Sequence, residues 1–290
     1  MNKRPVIVGI GELLWDMFPG GKKAGGAPVN LVYHASRLGA EGYAISAVGN
    51  DAFGREILRE LDKNHIGHCI ETIGHPTGSV KVELTDGIPA YTITESVAWD
   101  YIPPAQEAIA LVKRADAICF GTLAQRSPVS RDTISALLAY AQENTLRFFD
   151  INLRQHYYSK ELIEACLEKA NAFKINDEEL EVIAPMFGRK GNADAICRWF
   201  MDTCRLRYLI LTEGSKCSTI YGEGEKSSIP TPEVTVADTV GAGDAFSGAF
   251  VYSILTGGSL REAHQKAVDI AAYVCTKNGA WPPYPDKQTI

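Results

Sequence analysis

The stretch D-T-V-G-A-G-D-A-F-S-G-A-F, Asp238 to Phe250, joins two glycines and a carboxylate to the start of an apolar run. Gly241 and Gly243 allow a tight turn and let a ligand approach the N–H groups of Gly241, Ala242 and Gly243. Ala245 to Leu255 predicts a helix, and Glu233 to Ala237 before the turn predicts a strand. N–H groups at a helix N-terminus are unpaired donors, and the helix dipole adds to their preference for an anion. Asp244, in the first turn, has two readings. It compensates the dipole, or it accepts the proton of a hydroxyl that attacks a bound phosphoryl group. Phosphoryl transfer needs donors fixed around the moving charge and a base for the nucleophile. One turn can supply both, with Gly241, Ala242 and Gly243 as donors and Asp244 as base.

Other phosphate and nucleotide signatures are missing. The chain has no G-x-x-x-x-G-K-[ST] loop and no H-R-D loop, which excludes a P-loop enzyme and a protein kinase. Gly9 to Glu12 reads G-I-G-E, without the third glycine of a dinucleotide fingerprint. The six histidines show no H-x-x-x-H spacing and none is assigned to a metal; His156, beside Tyr157 and Tyr158, reads as packing.

The elements that must position this turn alternate along the chain. Val6 to Ile10, Tyr43 to Val48, Ala117 to Phe120, Arg147 to Ile151, Ala172 to Ile175 and Tyr208 to Thr212 are short apolar runs that predict buried strands. Val29 to Leu38, Ala52 to Asn64, Ser130 to Glu143 and Lys160 to Ala170 predict helices between them. Such alternation implies right-handed crossovers and a parallel sheet covered on both faces. Ser79 to Thr94 breaks the rhythm with period-two alternation and a turn at Asp86-Gly87, a hairpin pattern. Leu13 to Phe18 is a second strand-like piece before a glycine-rich turn. The hairpin is either decoration or, with Leu13 to Phe18, a small sheet that covers a site as a lid.

The bulk properties agree with an enzyme of this kind. A chain of 290 residues can bury a large core without disulfide or metal staples, and no linker divides it. A net charge of −6 without a basic run argues against nucleic acid as a partner. Seven scattered cysteines with no C-x-x-C pair fit reduced thiols in a cytosol. No signal-peptide pattern and no run of membrane-spanning length is seen, so a soluble cytoplasmic protein is expected.

D-T-V-G-A-G-D resembles the C-terminal signature of the PfkB, or ribokinase-like, family of carbohydrate kinases. A second signature lies near the start: G-E-L-L-W-D (Gly11 to Asp16), then G-G-A-P-V-N (Gly25 to Asn30), then A-V-G-N-D-A-F-G (Ala47 to Gly54). The two cover nearly the whole chain in the family's order. The resemblance implies a three-layer α/β/α sandwich over residues 1–290, with a mostly parallel central sheet. It also implies a small β-strand lid from about 12–26 and 78–96, and a homodimer that associates through that lid.

The resemblance carries further roles. Asp16, Gly25, Gly26 and Asn30 match positions that bind sugar hydroxyls; the alternative is a turn residue and a helix start. F-D-I-N-L-R, Phe149 to Arg154, is similar to the D-x-N-x-R element of fructokinases and ketodeoxygluconate kinases, which implies Arg154 as a ligand of the sugar or its phosphate; the alternative is a surface ion pair. Asn176 and Glu179 match an N-x-x-E element that positions Mg²⁺ through water; the same residues also suit a helix cap. Thr212 and Gly214 match a nucleotide turn in which Cys217 replaces a second glycine, and Asn278 lies where the family closes around adenine. Asp238 matches a potassium site found in many members, although Trp281-Pro282-Pro283 lacks the serine sometimes seen there.

The implied activity is transfer of the ATP γ-phosphoryl group to the primary hydroxyl of fructose. A 2-keto-3-deoxygluconate kinase and a ribokinase are alternatives within the family. A non-catalytic sugar- or nucleotide-binding regulator on the same fold is the rival class, and it would have no need of Asp244.

Overall fold

The computed structural model describes residues 3–18, 20–85 and 88–285. Its strands are β1 (Val6–Ile10), β2 (Leu14–Phe18), β3 (Gly21–Gly25), β4 (Glu41–Gly49), β5 (Gly67–Ile73), β6 (Gly78–Thr85) and β7 (Ile88–Ile93), followed by β8 (Ala117–Phe120), β9 (Leu146–Asp150), β10 (Ala172–Asn176), β11 (Tyr208–Thr212), β12 (Cys217–Tyr221) and β13 (Lys226–Pro230). The helices are α1 (Ala27–Leu38), α2 (Ala52–Lys63), α3 (Gln106–Lys113), α4 (Pro128–Leu138), α5 (Lys160–Lys169), α6 (Asp177–Met186), α7 (Ala193–Thr203), α8 (Ala242–Leu255) and α9 (Leu260–Cys275).

The large sheet has the order β13-β12-β11-β10-β9-β8-β1-β4-β5. From β11 to β5 every neighbouring pair is parallel, while β12 and β13 extend one edge antiparallel. Strands such as V-I-V-G-I and A-I-C-F are apolar at every position because both sheet faces are covered. On one face Val8, Ile10 and Phe149 pack against α3 to α7; on the other Ile7, Phe148 and Ile210 pack against α1, α2, α8 and α9. This is the ribokinase-like three-layer arrangement.

The chain runs outward from β1 to β4 and β5, then returns to β8 on the other side of β1. Strand order reverses there, and in open α/β sheets ligands occupy the crevice outside the carboxyl ends at such a point. Helices α1 and α8 meet beside it. A Cβ on Gly248 would sit 2.5 Å from the Leu31 carbonyl oxygen, so only glycine permits this close crossing. It brings the first turns of the two helices side by side.

A separate four-stranded sheet has the order β3-β2-β6-β7, with β2 and β6 parallel and the outer pairs antiparallel. The glycine-rich segment after β2 thus returns as a strand. The expected Asp86-Gly87 turn lies outside the described residues.

Two expectations need correction. Residues 233–237 are not a strand: Val234 and Val236 are 37% and 58% exposed, and no strand pairs with them. The segment is tied instead by Ala237 N–H to the Cys275 carbonyl at 2.9 Å. Helix α4 ends at Leu138, short of the expected Glu143: the next N–H groups, of Tyr140 and Ala141, bond the carbonyls three residues back, Leu137 and Leu138, as successive tight turns. No helix among the described residues is long and apolar enough to cross a membrane.

Candidate active site

Gly241 caps α8 with φ +79°, a left-handed conformation that glycine adopts without strain. Asp244 follows in the first turn. Asn30, in the first turn of α1, donates from Nδ2 to Asp244 Oδ2 at 2.8 Å. Trp281 Nε1 donates to Asn30 Oδ1 at 2.7 Å. Residues 214 positions apart in sequence are therefore bonded directly, through the α1–α8 crossing.

Burial first, and then the Asp150 charge, raise the Asp244 carboxyl to about 6; Asn30, Lys174 and Arg154 pull the other way. Asp16, on β2, is raised to about 6 by burial and next by Asp244, while Arg154 and Lys23 lower it. Asp16, Asp244 and Arg154 thus share one electrostatic neighbourhood. Arg154 is exposed, and among the described residues it donates to the Leu153 carbonyl and Asn152 Oδ1. Gly25 ends β3 against Asp16: a side chain there would start 2.6 Å from Asp16 Oδ2. Gly26 caps α1.

Beneath Gly243 lies a buried ion pair that sequence reasoning missed. Lys174 Nζ bonds Asp150 Oδ2 at 2.8 Å, and the Ser247 hydroxyl lies 3.0 Å from the same oxygen. Lys174 Nζ is also 3.5 Å from where a Gly243 side chain would begin. Burial pulls the ammonium down, but Asp150 holds it above its ordinary value, with Asp244 and Glu179 adding to the effect. The signal was present: a lysine inside A-F-K-I-N, on an otherwise buried strand, must find a partner.

Glu12 was also missed. It is 4% exposed, with Oε1 3.3 Å from the Ala27 N–H and Oε2 unpartnered among the described residues. Burial raises its carboxyl. It lines a cavity of about 10 Å³ at the carboxyl ends of β1, β8 and β9, with Thr122, Asp150 and Asn152. That volume suits one water molecule.

Asn176 and Glu179 form a capping box on α6. Asn176 Oδ1 accepts from Glu179 N–H at 2.7 Å, and Glu179 Oε2 accepts from Asn176 N–H at 3.0 Å. Glu179 Oε1 accepts from Leu153 N–H at 2.9 Å. Each carboxylate oxygen already holds an N–H, so the pair suits hydrogen bonds from metal-bound water rather than direct ligation. No cluster of three or more His, Cys, Asp or Glu suited to a metal occurs among the described residues.

Thr212 lies beside Asn176 in strand register, and Gly214 follows in the turn to β12 with φ +55°. Cys217 begins β12 and its thiol donates to Glu213 at 2.9 Å, so the turn closes as a hairpin without a second glycine. Asn278 lies apart from these residues. It lines a different cleft of about 650 Å³ with Lys22, Lys23, Arg59 and Trp281, between the small sheet, α2 and the chain after α9.

Asp238 is a clamp. Its Oδ1 accepts from Val240 N–H at 3.0 Å, its Oδ2 accepts from Gly279 N–H at 2.8 Å, and Lys23 Nζ stands 3.9 Å away. This donor set does not fit a potassium ion well, because N–H groups and an ammonium already face the carboxylate.

A doubly wound sheet here places N–H donors and a carboxylate on one helix turn near the strand-order reversal, an arrangement suited to binding and moving a phosphoryl group. Comparison with known proteins carries this to the family: the pattern described as pfkB family carbohydrate kinase matches residues 13–287, and the chain belongs to that family. It is a phosphotransferase that uses an alcohol group as acceptor.

Among its relatives is a probable fructokinase-5 of Arabidopsis thaliana, 27% identical over 98% of this chain and 96% of that protein. A 5-dehydro-2-deoxygluconokinase 2 of Bacillus cereus is 26% identical over 93% of this chain and 85% of its own. The crystal structure of a sugar kinase from Pyrococcus horikoshii in complex with ATP has a TM-score of 0.81 and 28% identity, covering 95% of this chain and 94% of that one.

Proposed function

We propose that the protein is an ATP-dependent fructokinase, which converts D-fructose and ATP to fructose 6-phosphate and ADP. The observation that carries this is Asp244, held by Asn30 in the same turn as the Gly241–Gly243 donors. Sugar binds between Asp16, Asn30 and Arg154, under the small sheet acting as a lid. The sugar's primary hydroxyl gives its proton to Asp244 as its oxygen bonds the γ-phosphorus; the bond from that phosphorus to the bridging oxygen breaks, and its electron pair leaves on ADP. Charge on the moving group is met by the N–H groups of Gly241, Ala242 and Gly243. Thr212 and Gly214 face the nucleotide. Asn176 and Glu179 would hold Mg²⁺ through its water, and the ion would neutralise phosphate charge. The resemblance to fructokinases and the ATP complex of the Pyrococcus horikoshii relative support this assignment.

The test is ADP release with Mg-ATP against fructose, ribose, tagatose, adenosine and 2-keto-3-deoxygluconate. Fructose is expected to turn over best. Asp244→Asn is expected to lower kcat by about 10²–10⁴-fold with little change in ATP binding. Unchanged turnover in that variant would falsify the role of Asp244.

One observation favours a second substrate. Arg154 is exposed and its hydrogen bonds among the described residues go to a carbonyl and an amide oxygen and not to a carboxylate, which suits an acidic sugar such as 2-keto-3-deoxygluconate. Competition between fructose and that acid in one assay separates the two, since a buried polar pairing can shift selectivity greatly.

A further inference from the structure

The segment after α9 reaches the site from the far end of the chain. Gly279 N–H bonds Asp238, and a side chain on Gly241 would begin 2.8 Å from Ala280 Cα, so residues 279–280 are seated on the α8 cap. Pro282 and Pro283 follow and restrict the backbone. Tyr33 donates from its hydroxyl to the Pro282 carbonyl at 2.7 Å, and Tyr273 donates to the Pro283 carbonyl at 2.6 Å. The Tyr284 hydroxyl and His34 Nδ1 are 2.8 Å apart. Trp281 is stacked on Tyr33, with ring centroids 5.3 Å apart and planes 4° from parallel.

An indole N–H can only donate. Bonded to Asn30 at 2.7 Å, it fixes that amide with its oxygen toward Trp281 and its nitrogen toward Asp244. Asp244 Oδ2 is then an acceptor of the amide N–H, and its other oxygen is left to take a hydroxyl proton. We propose that Trp281 is a positioning residue for phosphoryl transfer, setting the sense of the Asn30 amide and through it the free oxygen of Asp244. This rests on Asp244 being the base.

Several charged groups face Asp244 and share control of its titration: Glu12 after β1, Asp16 on β2, Asp150 on β9, Arg154 after β9 and Lys174 on β10. Trp281 adds no charge. Its effect is the orientation of one neutral amide, so it can be removed without touching the others.

Trp281→Phe keeps an aromatic ring on Tyr33 and removes the N–H together with the second ring of the indole. The expected result is a kcat lower by about 3–10-fold, the worth of one hydrogen bond. KM for ATP should stay at the wild-type value, and the unfolding temperature should fall only slightly, by the packing of the lost ring atoms. The acid limb of kcat/KM should move to higher pH, because a freed amide can turn its oxygen toward the carboxylate. Added to Asn30→Ala, the same substitution should cost nothing more.

Wild-type kcat and pH profile in Trp281→Phe would overturn the proposal, as would a full additional loss on the Asn30→Ala background. Equal changes in ATP KM and unfolding temperature would reduce Trp281 to packing and overturn it too. The ¹³C carboxyl titration of Asp244 in the sugar-free protein reads the same bond without turnover. An upward move in Trp281→Phe supports the amide orientation even if no sugar is phosphorylated, while full activity of Asp244→Asn would sink the base assignment and with it the role of Trp281 in phosphoryl transfer.

Discussion

Two buried ion pairs, one beside the end of β7 and one beneath Gly243, are built for different purposes. Arg126 and Asp100 have side chains 7% and 5% exposed; Lys174 and Asp150 have side chains 8% and 11% exposed. Arg126 meets Asp100 through a fork, Nε to Oδ1 at 2.7 Å and Nη2 to Oδ2 at 2.8 Å, and Nη2 also donates to the Thr94 carbonyl at 2.6 Å. Its guanidinium lies over Trp99 at 4.0 Å and Tyr157 at 4.7 Å. The Nε–Nη2 edge and the two ring contacts lock the root of β7 to the main body, while Nη1 is buried without a hydrogen-bond partner among the described residues. Lys174 bonds Asp150 alone among the described residues and stands below Gly243 with its field open to Asp244 and Glu179. A planar fork suits a lock, and a point charge suits a reaction site.

Breaking the second pair should have the largest effect. Lys174→Met leaves Asp150 buried and unpaired, which costs about 3–5 kcal/mol of stability by denaturant unfolding. Adding Asp150→Leu removes the orphan charge and should restore most of that stability. The double variant should still lack activity, with kcat down by about tenfold or more, because the cation beneath the phosphoryl-binding turn is gone. A double variant with wild-type kcat would make this pair a packing feature like the first.

Arg126→Lys tests the other side. The charge stays, but the fork and the stacking are lost, so stability should fall by about 1.5–3 kcal/mol. Turnover should stay within about twofold at saturating substrate, since surviving folded molecules keep the site intact. A deep loss of kcat with unchanged unfolding would reverse the roles assigned to the two pairs.

The parts of the molecule that could be read in the sequence are those encoded locally. Apolar runs such as Ala117–Phe120 and Tyr208–Thr212 can only be buried strands, and the turn before Asp244 announces an anion site by its own residues. The groups that tune Asp244 were harder to see because they come from distant segments. Asn30 was found, but its bond to Trp281 depends on how the chain after α9 folds back over α1. Gly248 shows its purpose only when the Leu31 carbonyl is beside it. Val234 and Val236 misled in the opposite way: alternation suggested a strand where no partner strand is available.

The smallest expected effect sharpens the comparison by measuring what an unmatched charge costs the site. Arg126 and Asp100 neutralise each other, whereas Asp244 is raised from 3.8 to about 6 by burial and by Asp150. A carboxyl raised on folding favours the protonated form, so its stabilising contribution is full below about pH 4 and is lost as pH rises through about 6. Asp244→Asn escapes that loss. Its unfolding temperature should exceed the wild type's by about 2–4 °C near neutral pH, and the gap should close near the unfolded aspartate pKa. Thermal unfolding at the two pH values decides it, and an equal gap at both would mean that the charge is not the cause. Activity runs the other way, because a base works only when ionised: kcat/KM should fall about tenfold per pH unit below that range. Asp16, raised to about 6 beside it, makes this limb a property of the pair. Asp16→Asn should therefore shift the limb to lower pH, since Asp244 then ionises without a negative neighbour.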